Sequence, residues 1–345
     1  MVEIAPDVRY PPGTGTRGAS MPASRRTVRA AGLPAASSAP ARLRVGVIGA
    51  GRVGAVLGAA LAAAGHEVVA ASGLSAASAE RAARLLPGAP LVPADEVVAA
   101  SDLVVLAVPD DTLPGLVSGL AGTGAWRAGQ LAFHTSGAHG LAVLGPAERA
   151  GVLALALHPA MTFTGAAEDG ERLVGAPFGV TSRPEHRPVA ETLVLEMGGE
   201  PFFVAEADRG LYHAALVTGA NHLVTLVAEA SDLLRTAGVG DPARVLAPLL
   251  TAALDNGLRR GDRGLTGPVS RGDAGTVAQH LATLAERAPD SVAAYVAMAQ
   301  RTAERTLAAG RLKAHEAAPL LDLLAEPPAR PTTPTHRSDD PAGSR

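Results

Sequence analysis

Leu43–Gly54 reads LRVGVIGAGRVG, a short β-branched run that leads into three glycines spaced G-x-G-x-x-G. The run predicts a buried parallel strand, and the small residues that follow predict a helix ending at Gly65. Gly49 permits a tight turn, Gly51 lets the backbone approach a pyrophosphate, and Gly54 permits close packing of helix on strand. The loop therefore predicts a dinucleotide site at a helix N-terminus. A packing turn without ligand is the alternative.

Further apolar runs alternate with helical segments over the first part of the chain. The expected strands are Val68–Ser72, Asp102–Val108, Leu131–His134, Val152–Leu157, Val174–Thr181 and Pro201–Val204. A helix is expected over Ser75–Leu86, with Ser75 as its N-cap. The alternation predicts an α/β fold whose N-terminal part is a Rossmann doubly wound parallel sheet. We assign residues 42–205 to this dinucleotide-binding domain, after a disordered leader at residues 1–41.

Beyond Ala205 the pattern is helical only. It predicts an all-helical C-terminal domain for substrate binding and dimerisation at residues 206–325, before a disordered, Pro-rich tail at 326–345. One long helix is expected over Asp208–Ala237, followed by helices at Pro242–Gly257, Thr276–Glu286, Asp290–Ala309 and Lys313–Ala325. Because the long helix is apolar nearly all round, it should be buried, and one chain cannot cover all its faces. We therefore expect a homodimer through the helical domain.

The composition excludes several classes of protein. The 345 residues are 47% hydrophobic, enough for a large core, and the net charge of −3 argues against a nucleic-acid partner. The chain has no Cys and no His/Asp/Glu spacing typical of a metal site. Polar residues and turns interrupt every long apolar run, so no membrane span is expected. Ser24–Thr27 is a weak match to a twin-arginine export signal, and a cytoplasmic protein is expected.

The end of the second strand bears on which dinucleotide is bound. An NAD site usually has Asp or Glu there to bind the ribose 2′-hydroxyl, whereas this chain reads Ala70-Ala71-Ser72-Gly73. Nearby hydroxyl and guanidinium groups suit a 2′-phosphate, which favours NADP(H) over NAD(H). The expected cofactor-binding residues are Gly49, Gly51, Arg52, Val53, Gly54, Ser72, Arg81, Val108, Pro109 and Asp110.

Polar residues follow three more predicted strands. Ligands of open α/β sheets lie beyond the C-terminal ends of the strands, so Asp110, the His134–Gly137 segment and His158 should face the nicotinamide. Histidine titrates in a range suited to general acid catalysis, and Ser136 can orient a substrate. We expect His158 or His134 to transfer the proton. The structural alternatives stay open: Asp110 as a helix cap and each histidine as a strand-end residue with satisfied hydrogen bonds.

Two features of the helical domain complete the candidate site. The long helix carries Tyr212, His213 and Asn221, and a buried amide such as that of Asn221 needs a ligand or a neighbouring helix as partner. The loop Thr266–Asp273 (TGPVSRGD) suits binding of a carboxylate, although Asp273 can instead cap the next helix. The candidate catalytic residues are His158, His134, Ser136, Asn221 and His213, and the candidate substrate-binding residues are Ser270, Arg271 and Asp273.

These motifs, taken in order, resemble one family: the Rossmann-like proteins with a C-terminal domain of unknown function 2520. The matching segments are Gly49–Gly54, LAVPDD at Leu106–Asp111, HTSG at His134–Gly137, HPAMTF at His158–Phe163, YHAA at Tyr212–Ala215 and GPVSRGD at Gly267–Asp273. The family is similar to 6-phosphogluconate dehydrogenase, ketopantoate reductase and pyrroline-5-carboxylate reductase. The resemblance implies NADP(H) in the first domain, dimerisation through the second, and a reductase or dehydrogenase.

The function expected is therefore an NADP(H)-dependent oxidoreductase acting on a small carboxylate-bearing carbonyl, imine or alcohol. The chain departs from many 6-phosphogluconate dehydrogenase relatives, which have a Lys four residues before the helical Asn, because Val217 stands in that position. Two alternatives stay open. One is a non-catalytic dinucleotide-binding sensor or scaffold, and the other is a Rossmann enzyme without net redox change, such as a dehydratase or an epimerase.

Overall fold

The computed structural model describes residues 42–326. The predicted leader at 1–41 and the predicted tail after Glu326 lie outside the described residues. The described part contains a seven-stranded sheet and, after it, a set of helices.

The sheet has the strand order β2-β1-β3-β4-β5-β6-β7. Its strands are β1 Arg44–Ile48, β2 Glu67–Ser72, β3 Leu103–Leu106, β4 Leu131–His134, β5 Leu153–Pro159, β6 Pro177–Thr181 and β7 Glu200–Phe203. All neighbours are parallel except β5 and β6, which are antiparallel. Register places Leu106, His134 and Ala156 side by side. The ends of β3, β4 and β5 therefore meet at one edge of the sheet.

Helices cover both faces of the sheet, as the predicted doubly wound fold requires. They are α1 Arg52–Ala63, α2 Ala76–Leu85, α3 Ala94–Ala100, α4 Leu113–Gly122, α5 Gly145–Glu148, α6 Asp169–Leu173 and α7 Arg187–Glu196. One buried cluster joins α1, α2, α6 and α7 to the sheet, and a second joins α3, α4 and α5 to its other face. Ser75 caps α2 as predicted, since its side chain accepts a hydrogen bond from the Ser78 N–H.

The chain then continues as the predicted long helix. It consists of α8 Arg209–Leu216, a π-helical turn at Val217–Asn221 and α9 His222–Thr236. Four further helices follow, α10 Pro242–Arg260, α11 Ala274–Arg287, α12 Val292–Ala308 and α13 Ala314–Ala325. A separate apolar cluster holds α11, α12 and α13 together, and includes Val277, Leu281, Ala303 and Leu320. The sheet and the helices after α8 thus have separate cores.

The prediction that the long helix is buried is wrong within one chain. No residue of α9 is buried, and Val224 is 70% exposed. The neighbouring helices pack on one side only, which leaves a row of apolar side chains exposed. By length and composition Glu206–Thr236 is also apolar enough to cross a membrane, with mean hydropathy 1.2 in its most apolar window. A helix that packs against another protein chain has the same composition.

Candidate functional site

The glycine loop has the geometry that the sequence predicts. Gly49 has a φ of +90°, and a Cβ there would lie 2.5 Å from the Ala107 carbonyl oxygen. A Cβ at Gly54 would collide with the Gly49 carbonyl oxygen, so this glycine allows α1 to pack closely on the loop. A Cβ at Gly51 would meet nothing nearer than 3.9 Å. Gly51 therefore presents bare backbone to open space at the start of α1, the arrangement that suits a phosphate.

A cavity of about 590 Å³ lies against this loop. Its size is in the range of sites for small molecules and cofactors. Its lining includes the predicted cofactor residues Gly49, Gly51, Ser72, Val108 and Pro109, together with Gly73, Leu74, Ser78, Pro93 and Thr112. Val53 packs against the sheet core instead. The cavity fits a dinucleotide laid across the sheet at the switch between β1 and β3.

Arg52 and Arg81 meet at the loop that follows β5. A Cβ at Gly165 would lie 2.6 Å from Arg81 Nε and 2.8 Å from Arg52 Cγ. Arg84 Nη2 donates a 2.6 Å hydrogen bond to the Gly165 carbonyl. Within residues 42–326 none of the three arginines forms an ion pair. Sequence reasoning missed Arg84, although its spacing of three from Arg81 places both on one face of α2.

Four side chains converge beyond the ends of β4 and β5. His158 Nδ1 lies 2.7 Å from the Tyr212 hydroxyl, and the His158 and His213 ring centroids are 6.1 Å apart. A Cβ at Gly137 would lie 3.0 Å from His158 Nε2 and 2.7 Å from His213 Cδ2. The absence of a side chain at Gly137 therefore lets both imidazoles pack directly against the loop after β4. Ser136, just before it, is buried, and its Oγ accepts from the Ala138 and His139 N–H groups.

His134 has a structural role, contrary to our expectation that it could transfer a proton. Its side chain is fully buried, and Nδ1 accepts a hydrogen bond from the Ser136 N–H. Nε2 lies 2.9 Å from the Gly140 carbonyl oxygen, to which it must donate. Both ring nitrogens are thus used within the protein, and none remains for a substrate. Ser136 likewise shapes the turn, because its hydroxyl oxygen holds two backbone N–H groups.

Asp110 does not cap a helix, because α4 begins later, with Thr112 as its N-cap residue. Its carbonyl oxygen lies 3.3 Å from His139 Nε2, which ties the end of β3 to the loop after β4. The negative charge of its carboxylate partly opposes the lowering of the pKa of His134 and His158.

Arg209, which sequence reasoning missed, lies at the centre of this site. Its side chain is 1% exposed and donates to Thr181 Oγ1 and to the carbonyls of Ser136, Ala156 and Gly179. These groups belong to β5, β6 and the loop after β4, so one guanidinium ties α8 to three parts of the sheet. The sequence does not indicate this role, because an Arg at the start of a helix is usually exposed. The period of apolar residues gives no information on a single charged residue.

Burial and the Arg209 charge set the ionisation of the site. Burial, chiefly, and repulsion from Arg209 lower the pKa of His158 from 6.5 to about 4, and repulsion from His213 adds to this. Burial likewise lowers the pKa of His134 to about 4. Burial raises the pKa of the Tyr212 phenol. At neutral pH His158 is therefore an uncharged imidazole rather than the proton-loaded acid that its ordinary pKa would allow.

The remaining candidates lie away from this cluster in the same chain. Asp273 caps α11 by accepting from the Thr276 N–H, and Ser270 Oγ donates to the Gly267 carbonyl. Pro268 borders a small cavity beside Leu226 and Leu233 of α9. At 1.5 Å per residue that point lies about 20–30 Å along the helix from Tyr212. Asn221 is exposed in the π-helical turn, so the buried amide that we expected is not present.

Comparison with known families matches both parts of the chain. Residues 32–159 match a Rossmann-like domain, and residues 176–302 match a domain of unknown function, DUF2520. The chain combines a Rossmann-like domain with a DUF2520 domain. The DUF2520 match begins just before β6, so it includes the last two strands of the sheet. The resemblance seen in the sequence is confirmed. No curated protein shows significant sequence similarity to the chain.

Solved structures share the fold of this Rossmann–DUF2520 chain. A Bacteroides fragilis protein assigned as an NADP oxidoreductase is 21% identical, with a TM-score of 0.64, and covers 76% of this chain and 98% of its own. A Thermotoga maritima protein is 19% identical, with a TM-score of 0.55 and the same coverage. An imine reductase variant from Myxococcus stipitatus in complex with NAD+ is 18% identical, with a TM-score of 0.52, and covers 83% and 100%.

Proposed function

We propose that the protein is an NADP(H)-dependent oxidoreductase that acts on a small carboxylate-bearing carbonyl, imine or alcohol. The observation that carries the proposal is the cavity at the Gly49–Gly54 loop, which lies where β1, β2 and β3 end. Strands β4 and β5 end at the same edge of the sheet, and β5 carries His158. The fold is shared with a protein assigned as an NADP oxidoreductase and with an imine reductase, which supports the reaction class. A sensor without catalysis would not need His158, Tyr212 and His213 to converge.

The described residues fit the dinucleotide. The Gly51 backbone and the start of α1 would hold the pyrophosphate, and Val108 and Pro109 would border the nicotinamide. Ser72 lines the cavity, whereas Arg52 and Arg81 lie outside its lining, at Gly165. Within residues 42–326 neither arginine forms an ion pair with a carboxylate. These groups would bind a 2′-phosphate. The cofactor supplies or accepts the hydride, and the protein positions the reactants and stabilises charge.

Substrate would bind between the nicotinamide and His158. The imidazole Nε2 has no hydrogen-bond partner within residues 42–326, so it can hydrogen-bond to the oxygen or nitrogen of the reacting bond. Ser270 and Arg271 would take the substrate carboxylate from a second copy of the chain, because their own loop packs far along the long helix. A homodimer through the exposed apolar face of that helix is part of the proposal.

Fluorescence titration with NADPH and NADH tests the cofactor assignment. We expect NADPH to bind more tightly, and Arg81→Ala to weaken NADPH binding by about tenfold, the loss of roughly one charge-assisted hydrogen bond, with NADH binding unchanged. Arg183→Ala is the matched control, because Arg183 is an exposed arginine paired with Glu148 beside β6. A screen of 2-keto acids, keto alcohols and cyclic imines for NADPH oxidation then addresses the substrate.

Two results would contradict this proposal. If neither nucleotide binds at millimolar concentration, the glycine loop is only a packing turn. If Arg81→Ala weakens NADPH and NADH equally, the arginine does not read the 2′-phosphate.

A further inference from the structure

The two ring nitrogens of His158 have different surroundings. Nδ1 lies 2.7 Å from the Tyr212 hydroxyl, whereas Nε2 lies beside Gly137 and has no hydrogen-bond partner within residues 42–326. Tyr212 is half-buried, and its ring contacts Phe202 at 5.8 Å between centroids. Its hydroxyl has no other hydrogen-bond partner in the described part of the chain. The tautomer of His158 is therefore decided by this one contact.

We propose that Tyr212 positions His158 by donating its hydroxyl proton to Nδ1, so that Nε2–H is the group presented to the substrate. A phenol is a much stronger acid than the N–H of a neutral imidazole, so the phenol is the better donor of the two. The opposite arrangement would leave the phenol proton without an acceptor and a bare lone pair at Nε2, and an unsatisfied buried donor is costly. This inference rests on the proposed function and adds a residue-level role to it.

The surroundings favour this arrangement over a charged imidazolium. The Arg209 guanidinium and His213 face His158 from α8, and Asp110 faces it from the loop after β3. Arg209 is the charge nearest to the pair, with its guanidinium carbon 5.8 Å from the centre of the Tyr212 ring. Positive charge so close disfavours a second proton on His158. It also lowers the pKa of the Tyr212 phenol, although burial, the larger effect, raises that pKa.

The proton balance of the reduction follows from the same contact. As hydride reaches the carbon of the reacting double bond, its oxygen or nitrogen takes the Nε2 proton, and Nδ1 takes the proton of Tyr212. His158 stays neutral throughout, with its proton moved from Nε2 to Nδ1. The Tyr212 phenolate that remains lies near Arg209 until solvent returns the proton. Tyr212 acts through His158 and need not touch the substrate.

The chain contains a second pair of the same kind, which serves as the control. His280 Nδ1 lies 2.9 Å from the Tyr295 hydroxyl, and the ring planes are nearly perpendicular, as in the His158–Tyr212 pair. This second pair joins α11 to α12, and none of its residues lines the cofactor cavity. Both residues line the small cavity beside Pro268. Tyr295→Phe therefore removes an equivalent hydroxyl from a histidine other than His158.

The decisive experiment is NMR of the full chain labelled with ¹⁵N-histidine, in which the signals of His158 are assigned by their loss in His158→Gln. We expect Nε2 of His158 to carry the proton and Nδ1 to be unprotonated at pH 7. In Tyr212→Phe the two nitrogens should move toward a mixture of tautomers, while Tyr295→Phe leaves the His158 signals unchanged. A wild-type His158 with its proton on Nδ1, or unchanged signals in Tyr212→Phe, overturns the inference. These spectra need neither cofactor nor substrate, so failure to bind NADPH would contradict only the proposed function.

Kinetics supplies the second readout. With any substrate from the NADPH oxidation screen, Tyr212→Phe should lower kcat by about tenfold or more, with little change in the Kd for NADPH. Tyr295→Phe should keep the wild-type Kd for NADPH. If Tyr212→Phe keeps wild-type kcat, or loses kcat and NADPH affinity in equal measure while its spectra stay unchanged, Tyr212 has no positioning role.

Discussion

His134 and His158 end neighbouring strands, but their surroundings give them different roles. Both ring nitrogens of His134 form hydrogen bonds with backbone groups of its own loop. His158 instead forms one hydrogen bond, with Tyr212, and its other nitrogen lies beside Gly137. Both are neutral at pH 7, since burial lowers each pKa to about 4. The sequence could predict that histidines gather at this edge of the sheet. It could not predict which nitrogen is free, because Gly140, Tyr212 and Arg209 come from distant parts of the chain.

The depressed pKa of His158 has a consequence for stability. Between pH 6.5 and about 4 the unfolded chain binds a proton at this histidine and the folded chain does not. The contribution of His158 to the free energy of unfolding should therefore be fully present above pH 6.5 and should fall as the pH drops toward 4. Below pH 4 this group should cause no further loss. Urea unfolding at pH 7 and pH 4.5 measures the loss, which should be smaller in His158→Gln. An equal loss in wild type and variant would show that His158 is not held neutral.

At the scale of elements the sequence predicts the fold well. All seven strands lie where the apolar runs place them, and the four helices after α9 agree with their predicted ranges to within a few residues. Local periodicity is sufficient because each element buries one apolar face. Short helices such as α5 and α6 carry too few residues to show a period, and the antiparallel pairing of β6 with β5 depends on long-range packing. The candidate site was harder to predict, because Tyr212 and Arg209 reach it from the start of α8.

Arg209 holds the start of α8 to β5, β6 and the loop after β4 through its side-chain hydrogen bonds. Arg209→Met removes hydrogen bonds to three carbonyls and to Thr181 and leaves the carbonyls buried, so we expect unfolding free energy to fall by about 2–4 kcal/mol. Arg259→Ala is the control, because its exposed pair with Asp255 contributes roughly 0–1 kcal/mol. Urea unfolding compares them. A loss for Arg209→Met no larger than the loss for the control would mean that the guanidinium does not hold α8 to the sheet.

Three helices of the described C-terminal region carry large apolar side chains that are exposed in the single chain. Leu223, Val224 and Leu226 on α9 are exposed, and α10 and α12 add Val245, Leu249, Leu254, Leu258 and Met298. The same helices carry the Ser270–Arg271 loop away from His158 of their own chain. A second copy seated on this face would bury the apolar residues and could bring its own loop to the open side of the crevice. One interface would then explain why the apolar face is exposed in the single chain and why the Ser270–Arg271 loop lies away from His158 of its own chain.

This assembly is tested by placing a charge on the apolar face. The wild-type chain should sediment at twice 34.6 kDa, and Val224→Glu should sediment as a single chain, because burying an unpaired carboxylate opposes association. Leu195→Glu is the matched control, because Leu195 is an apolar residue of similar exposure on α7, outside the C-terminal helices. This variant should stay dimeric. Val224→Glu should also lose turnover while it still binds NADPH, since the glycine loop and cavity belong to one chain. A wild-type monomer that turns over substrate would show that each chain holds a complete site and that this face has another partner.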